Sequence, residues 1–419
     1  DRRSMTLATL QWFDRRSMTL ATEGRSMPDD PSFSTQSIHG QSVDDPENRP
    51  ASLPIYQSAG WVFRDLDEVD AIYERRAPGA IYGTDGLPNI LALEAVVAKL
   101  EATDAALATS GGMAAFLATF LATLSHGDRV VASRDLYGNT TRLLDDLKRF
   151  GISTSFVDAT DLETVRRDLA DGAKLVVVET ISNPRMRVAH IPKLAALAHE
   201  RGALLVVDNT FAGPYHCQPS ILGADVIIES VTKFFGGHHD LVVGAVAARE
   251  EILGPIRTIA VRSSMVPGAF DAWLAARSIQ TLEPRMERSA RNASELASWL
   301  AGHDSIRAAH YPGLADHPDR DASAATLRRG HGAMLAFEID GGREAVNRML
   351  GELSMVRLVL SLGGTATTLS HPATSSHRAL SKTQREALGI HDGFLRLSVG
   401  IEALDDIKSD LARGLSVLA

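Results

Sequence analysis

The spacing of apolar positions changes several times along this chain, and each change marks an element. "NILALEAVVAKLEAT" repeats its apolar residues at helical spacing and predicts a helix that ends near Thr103. "GMAAFLATFLATLSHG" predicts a second helix, closed by Gly127. Short apolar runs then alternate with amphipathic segments. "DRVVASRD" precedes "TTRLLDDLKRFG", "TSFVDA" precedes "DLETVRRDLADG", and "KLVVVET" precedes "IPKLAALAHERG". "ALLVVDNT" leads through a short crossover to "ADVIIES". This strand–helix alternation predicts an α/β fold with a mainly parallel sheet covered by helices on both faces.

After Pro267 the texture becomes one long helical stretch, "AFDAWLAARSIQTLEPRMERSARNASELASWLAG". The last third mixes "GAMLAFEID", "RLVLSLGG" and "FLRLSVGI" with helices, which reads as a smaller C-terminal α/β domain with an antiparallel sheet. Residues 28–60 are rich in Ser, Pro, Asp and Gln and read as an extended arm. The expected division is an N-terminal arm over 28–80, a large domain over 81–270 and a C-terminal domain over 271–419. "DRRSMTLAT" occurs at 1–9 and again at 14–22, so residues 1–27 read as a tag or an artefact rather than as folded sequence.

Composition narrows the function. The chain has 419 residues, enough for two or three sizeable cores. Its net charge of −9 argues against a general nucleic-acid or anionic-membrane binder. No apolar run reaches the ~18–20 residues of a membrane span. Cys217 stands alone, which rules out an intrachain disulfide, disfavours a cysteine metal site and suits a reducing cytoplasm.

In an open parallel sheet, ligands sit beyond the carboxyl ends of the strands. Here "VVVET" delivers Glu179 and then Asn183. "LLVVDNT" delivers Asp208 and Thr210, "DVIIES" delivers Ser230, Thr232 and Lys233, and "RVVASRD" leads into Tyr137. Each group has a plain alternative: an aspartate there is often a helix cap, and a lysine is usually solvated. "TSGGMAAFLATF" places two glycines and free N–H groups at a helix start, an anion site. No GxxxxGK[ST] or GxGxxG motif is present, so a phosphate-bearing cofactor other than a nucleotide fits better. Pyridoxal 5′-phosphate (PLP) needs a lysine for a Schiff base, a carboxylate at the ring nitrogen, a stacking aromatic and a phosphate cup. Lys233, Asp208, Tyr137, and Gly112–Met113 with Ser230 and Thr232 meet those four needs. "GGHHD" raises a metal site at His238, His239 and Asp240, but neighbouring side chains in a strand face opposite ways and no metal is expected.

"VVDNTFAGPY" and "LGADVIIESVTKFFGGHHDLVVGAV" resemble the PLP-attachment segment of the Cys/Met-metabolism (trans-sulfuration) family. The similarity starts near Pro54 and continues through "YGTDGLPN", "SGGMAA", "LYGNT", "ETISNP", "SLGG", "HPA" and "LRLSVGIE". It implies a type I aminotransferase-like fold, an amino-acid substrate and a homotetramer built as a dimer of dimers. Lys233 would be the Schiff-base lysine and the base. Asn183 would approach the ring hydroxyl, Arg396 would clamp the substrate carboxylate with Ser361 nearby, and Tyr82 would reach a neighbouring subunit's site.

Three positions depart from the family pattern. Thr84 replaces an arginine that meets the partner's phosphate. Asn139 follows "YG", where methionine γ-lyases carry cysteine. Ala366 stands where cystathionine enzymes often carry glutamate. The expected activity is γ-elimination from a γ-substituted L-amino acid through a vinylglycine-type intermediate, with Asn139 in the substrate pocket. The alternatives are γ-replacement, β-lysis, or a polar substrate such as canavanine, which Asn139 and Asp85 motivate. A catalytically dead scaffold is the rival from outside enzymology.

Overall fold

The structure, a computed structural model, describes residues 32–40, 50–74 and 76–418. The duplicated N-terminal segment lies outside them. Seven strands form the larger sheet: β1 (Ala105–Thr109), β2 (Arg129–Ser133), β3 (Ser153–Val157), β4 (Leu175–Glu179), β5 (Leu204–Asp208), β6 (Val226–Glu229) and β7 (Gly244–Ala248). Their order is β1-β7-β6-β5-β4-β2-β3. Every pairing from β6 to β3 is parallel, and β7 runs antiparallel to both β1 and β6. Strands β4 and β6 are buried throughout, as unbroken apolar runs covered on both faces must be.

β1 escapes the sequence pattern. "AALAT" has no β-branched residue until its last position and sits between two helices, so its periodicity merges with theirs. The arm also holds more structure than its composition predicts. Helices span Phe33–His39 and Leu66–Tyr73, capped by Ser32 and Asp65. Phe33 is buried in the same core as Leu93 and Phe235.

The long helical stretch divides into Ala269–Ile279 and Leu282–Ala301. Pro284 is the reason: near a helix start its missing N–H would have no intrahelical partner anyway, whereas mid-helix it would break the ladder. The second of these helices joins two cores. Met286 packs beneath the large sheet, while Leu296 and Leu300 pack on the smaller one.

That smaller sheet comprises β8 (Ala308–His310), β9 (Met334–Glu338), β10 (Arg357–Leu358), β11 (Thr368–Ser370) and β12 (Phe394–Ser398), ordered β10-β11-β12-β9-β8. It is antiparallel except where β10 meets β11. "RLVLSLGG" contributes only two strand residues. The chain then leaves the sheet, so that Gly363, at φ +80°, lies against the backbone of Lys233.

Arg285 fastens this arrangement to the turn after Lys233. It is 7% exposed and donates to the carbonyls of Phe234 (2.6 Å), Phe235 (3.0 Å) and Ser278 (3.0 Å). Gly237 lies under the guanidinium at φ +70°, where any Cβ would collide with it. Gly237→Ala is therefore expected to cost about 2 kcal/mol or more, since strain and a displaced buried arginine combine. A denaturation midpoint equal to that of the parent protein would show that Arg285 can move aside freely.

Candidate active site

The carboxyl ends of β4, β5 and β6 stand side by side, and the loops after β1 and β2 flank them. Asp208 ends β5 and is half-buried. One of its oxygens accepts the Thr210 N–H at 3.0 Å. Burial pushes this carboxyl's pKa up, and the Thr210 hydrogen bonds oppose that shift. The Thr210 hydroxyl accepts the Ser230 N–H at 2.9 Å, tying the loop after β5 to the loop after β6.

Lys233 sits in the turn that follows β6, held where its N–H reaches the Ser230 carbonyl at 2.9 Å. Its Nζ donates to Ser361 Oγ at 3.1 Å. Burial, then the charge of Arg396, lowers its pKa. A lysine so placed gives up its proton more readily and becomes a better nucleophile and base.

The helix Gly112–Thr123 starts without a side-chain cap, so its first N–H groups are free for an anion. A Cβ on Gly112 would lie 3.2 Å from the Ser230 Cβ, so a larger residue here would press Ser230 away from this helix start by a few tenths of an ångström. Met113 follows within the first turn and packs on the core behind. The Thr232 hydroxyl is engaged elsewhere. It donates to the Val243 carbonyl at 3.0 Å and accepts the Val243 N–H at 3.0 Å.

Tyr137 caps the helix Gly138–Asp146, and its own N–H reaches Glu179 Oε1 at 2.5 Å. Asn139 Nδ2 donates to the Tyr137 hydroxyl at 3.0 Å. The amide that the sequence places in the substrate pocket thus already has a partner. β12 brings in Arg396, which is 4% exposed and donates from Nη1 to Asn183 Oδ1 at 2.7 Å. Its guanidinium lies 5.8 Å from the Phe211 ring centroid. Arg396 Nε is buried with no partner, a donor that a bound carboxylate would satisfy. Burial pulls the Arg396 pKa down to about 10, well above neutrality.

Two hydrogen-bonded groups therefore stand at the carboxyl ends of the strands: Asp208, Thr210, Ser230, Lys233 and Ser361 in one, and Asn139, Tyr137, Glu179, Asn183 and Arg396 in the other. Tyr82 is 56% exposed on a loop closed by its bridge to Asp85, and among the described residues its hydroxyl has no hydrogen-bond partner. His377 went unnoticed in the sequence. It is 5% exposed, and Ser376 Oγ lies 2.9 Å from its Nδ1. Burial and then the Arg396 charge push its pKa down to about 4, so it is neutral at pH 7. Only its place five residues after the "HP" pair hinted at it.

The profile of the Cys/Met metabolism PLP-dependent enzymes matches residues 34–416. The chain belongs to that family. It is 39% identical over 368 residues to L-methionine gamma-lyase of Fusobacterium nucleatum subsp. polymorphum, covering 87% of this chain and 93% of the relative. It is 37% identical over 392 residues to O-succinylhomoserine sulfhydrylase of Pseudomonas aeruginosa, covering 92% and 96%. The crystal structure of cystathionine gamma synthase from Xanthomonas oryzae pv. oryzae in complex with cystathionine superposes with a TM-score of 0.88 at 34% identity, over 93% of this chain and 99% of that one.

This trans-sulfuration family member is thus a PLP-dependent enzyme of amino-acid metabolism with the type I aminotransferase-like α/β fold. Among its described residues no helix is long and apolar enough to cross a membrane. The donor set fits the cofactor: a held amine, a half-buried carboxyl, and an uncapped helix start opened by glycine beside a hydroxyl. Borohydride reduction of the PLP-loaded protein followed by peptide mapping is expected to find the pyridoxyl group on Lys233. Its appearance on any other lysine would overturn that placement.

Proposed function

We propose that this enzyme eliminates the γ substituent of an L-amino acid. The contact that carries the reading is the one between Asn139 and Tyr137. Asn139 donates to the phenol oxygen, so the phenol's own proton is left to be given away. PLP, when bound, supplies an electron sink for charge developing on the substrate carbons.

The residues divide the remaining work. Asp208 would keep the ring nitrogen of the bound cofactor protonated, Tyr137 would cover the ring, and Asn183 would approach the ring hydroxyl. The N–H groups of Gly112 and Met113, with the Ser230 hydroxyl, would hold its phosphate. Thr232 serves by fixing its own turn to Val243. Lys233 moves the protons at Cα and Cβ, helped by its lowered pKa. Tyr137 protonates the departing γ heteroatom. Arg396, with Ser361 beside it, takes the α-carboxylate.

The second reading is γ-replacement, which the likeness to a sulfhydrylase and a synthase supports. Both outcomes share every residue role up to loss of the γ group, and they differ in whether water or a thiol acts afterwards. A second copy of the chain is part of this proposal. Val62 is 101% exposed, Leu66 81%, Tyr73 66% and Tyr82 56%, an apolar run that packing between copies would cover.

Asn139 also bears on specificity. With Nδ2 committed to Tyr137, its carbonyl oxygen is left to accept from a substrate donor, which a thioether lacks. A γ substituent bearing oxygen or nitrogen is expected to be turned over better than methionine or cystathionine. Asn139→Cys is expected to improve methionine. The check is kcat/KM for methionine, cystathionine, an O-acyl homoserine and canavanine on one preparation, scored for both 2-oxo acid release and thiol incorporation. Methionine as the best substrate of the parent enzyme, with no gain in Asn139→Cys, would refute this view of the pocket.

A further inference from the structure

Glu179 ends β4, the strand between β5, which bears Asp208, and β2, which leads to Tyr137. In the pairing register it stands opposite Asp208. It is 7% exposed, and both of its oxygens are used. Oε1 accepts the Tyr137 N–H at 2.5 Å, and Oε2 accepts the Asn183 N–H at 2.9 Å. The side chain of that same Asn183 accepts from Arg396 Nη1 at 2.7 Å. One carboxylate thus grips two loops, and a third element, β12, is fixed to the second loop.

Burial of a carboxylate next to Asp208 is unfavourable, so a role in packing alone would be better filled by an apolar residue. Ionised, Glu179 offers two strong acceptors to two backbone donors, and its charge favours the buried Arg396 cation.

We propose that Glu179 is a positioning residue for substrate binding: it holds the Tyr137 loop with one oxygen and the Asn183 loop with the other, and through Asn183 it aims Arg396 at the substrate's α-carboxylate. This rests on Arg396 being the carboxylate clamp. Glutamine at 179 keeps the shape but turns an amide N–H toward one of the two backbone donors. Aspartate keeps the charge but, one methylene shorter, reaches only one of them.

The test uses PLP-loaded parent enzyme, Glu179→Gln, Glu179→Asp and Arg396→Lys. Dissociation constants for glycine and for glycinamide, which lacks the carboxylate, are read from the change in visible absorbance of the cofactor. Melting of the cofactor-free proteins is followed in parallel. Loss of one hydrogen bond to a charged group predicts that Glu179→Gln binds glycine about tenfold more weakly. Glycinamide should change much less. Arg396→Lys should show the same selective loss, because an ammonium cannot reproduce the fork.

Equal weakening of both ligands, or of neither, in Glu179→Gln while Arg396→Lys stays selective overturns the positioning role alone. Arg396→Lys that spares glycine overturns the clamp and, with it, the role of Glu179. If Glu179→Gln fails to fold, the ratio of the two dissociation constants in Glu179→Asp decides in the same way.

Discussion

Three acids at the ends of three neighbouring strands set the terms for this site. Glu179, Asp208 and Glu229 close β4, β5 and β6, and all three are pushed toward protonation by burial. Asp208 adds its repulsion to both of the others. Such a row is tolerable only if each member finds its own relief. Glu179 finds two backbone N–H groups. Glu229 lies against Glu101, two carboxyls that cannot both ionise at close range, with Asn209 donating to Glu101 at 3.2 Å. Asp208 keeps a single backbone donor from Thr210, and a pyridinium would supply the counter-charge it lacks.

The positive groups come from outside this row. Lys233 follows β6 in a turn, and Arg396 arrives from the other sheet altogether. Burial lowers the pKa of both, and the Arg396 charge lowers that of Lys233 further, which leaves the lysine easier to deprotonate while the guanidinium stays charged. Geometry keeps them in place: Ser361 meets Lys233, Asn183 meets Arg396, and Arg285 bolts the lysine's turn to the helix joining the two cores. The chemistry therefore depends on how the two sheets are docked, and not only on the strand ends themselves.

Asn139 illustrates how a contact within the fold adds to what a sequence position suggests. As a sequence position it reads as a polar wall for the substrate. In the fold it turns its amide to the Tyr137 hydroxyl, two residues back, and changes what that hydroxyl can donate. Thr232 behaves similarly, because a hydroxyl beside the lysine has backbone partners within reach at Val243 and is taken by them.

The alternation of apolar runs and amphipathic helices determined the α/β class, the parallel strands β2 to β6 and the identity of the strand-end groups. These follow from local period and from the rule that ligands gather at carboxyl ends. Lys233, Asp208 and Tyr137 could be named because their chemistry is specific and their spacing local. β1 stayed hidden because alanine-rich sequence has no strand signature, and the helix at 33–39 because it has under two turns in which to show a period. Only the tertiary structure decided that Glu179 bridges two loops, that His377 is buried within reach of the Arg396 charge, and that Arg285 grips the lysine's turn. The Glu179–Tyr137 and Arg285–Phe234 hydrogen bonds join residues 42 and 51 positions apart, and their existence depends on docking to within an ångström, which no local pattern encodes.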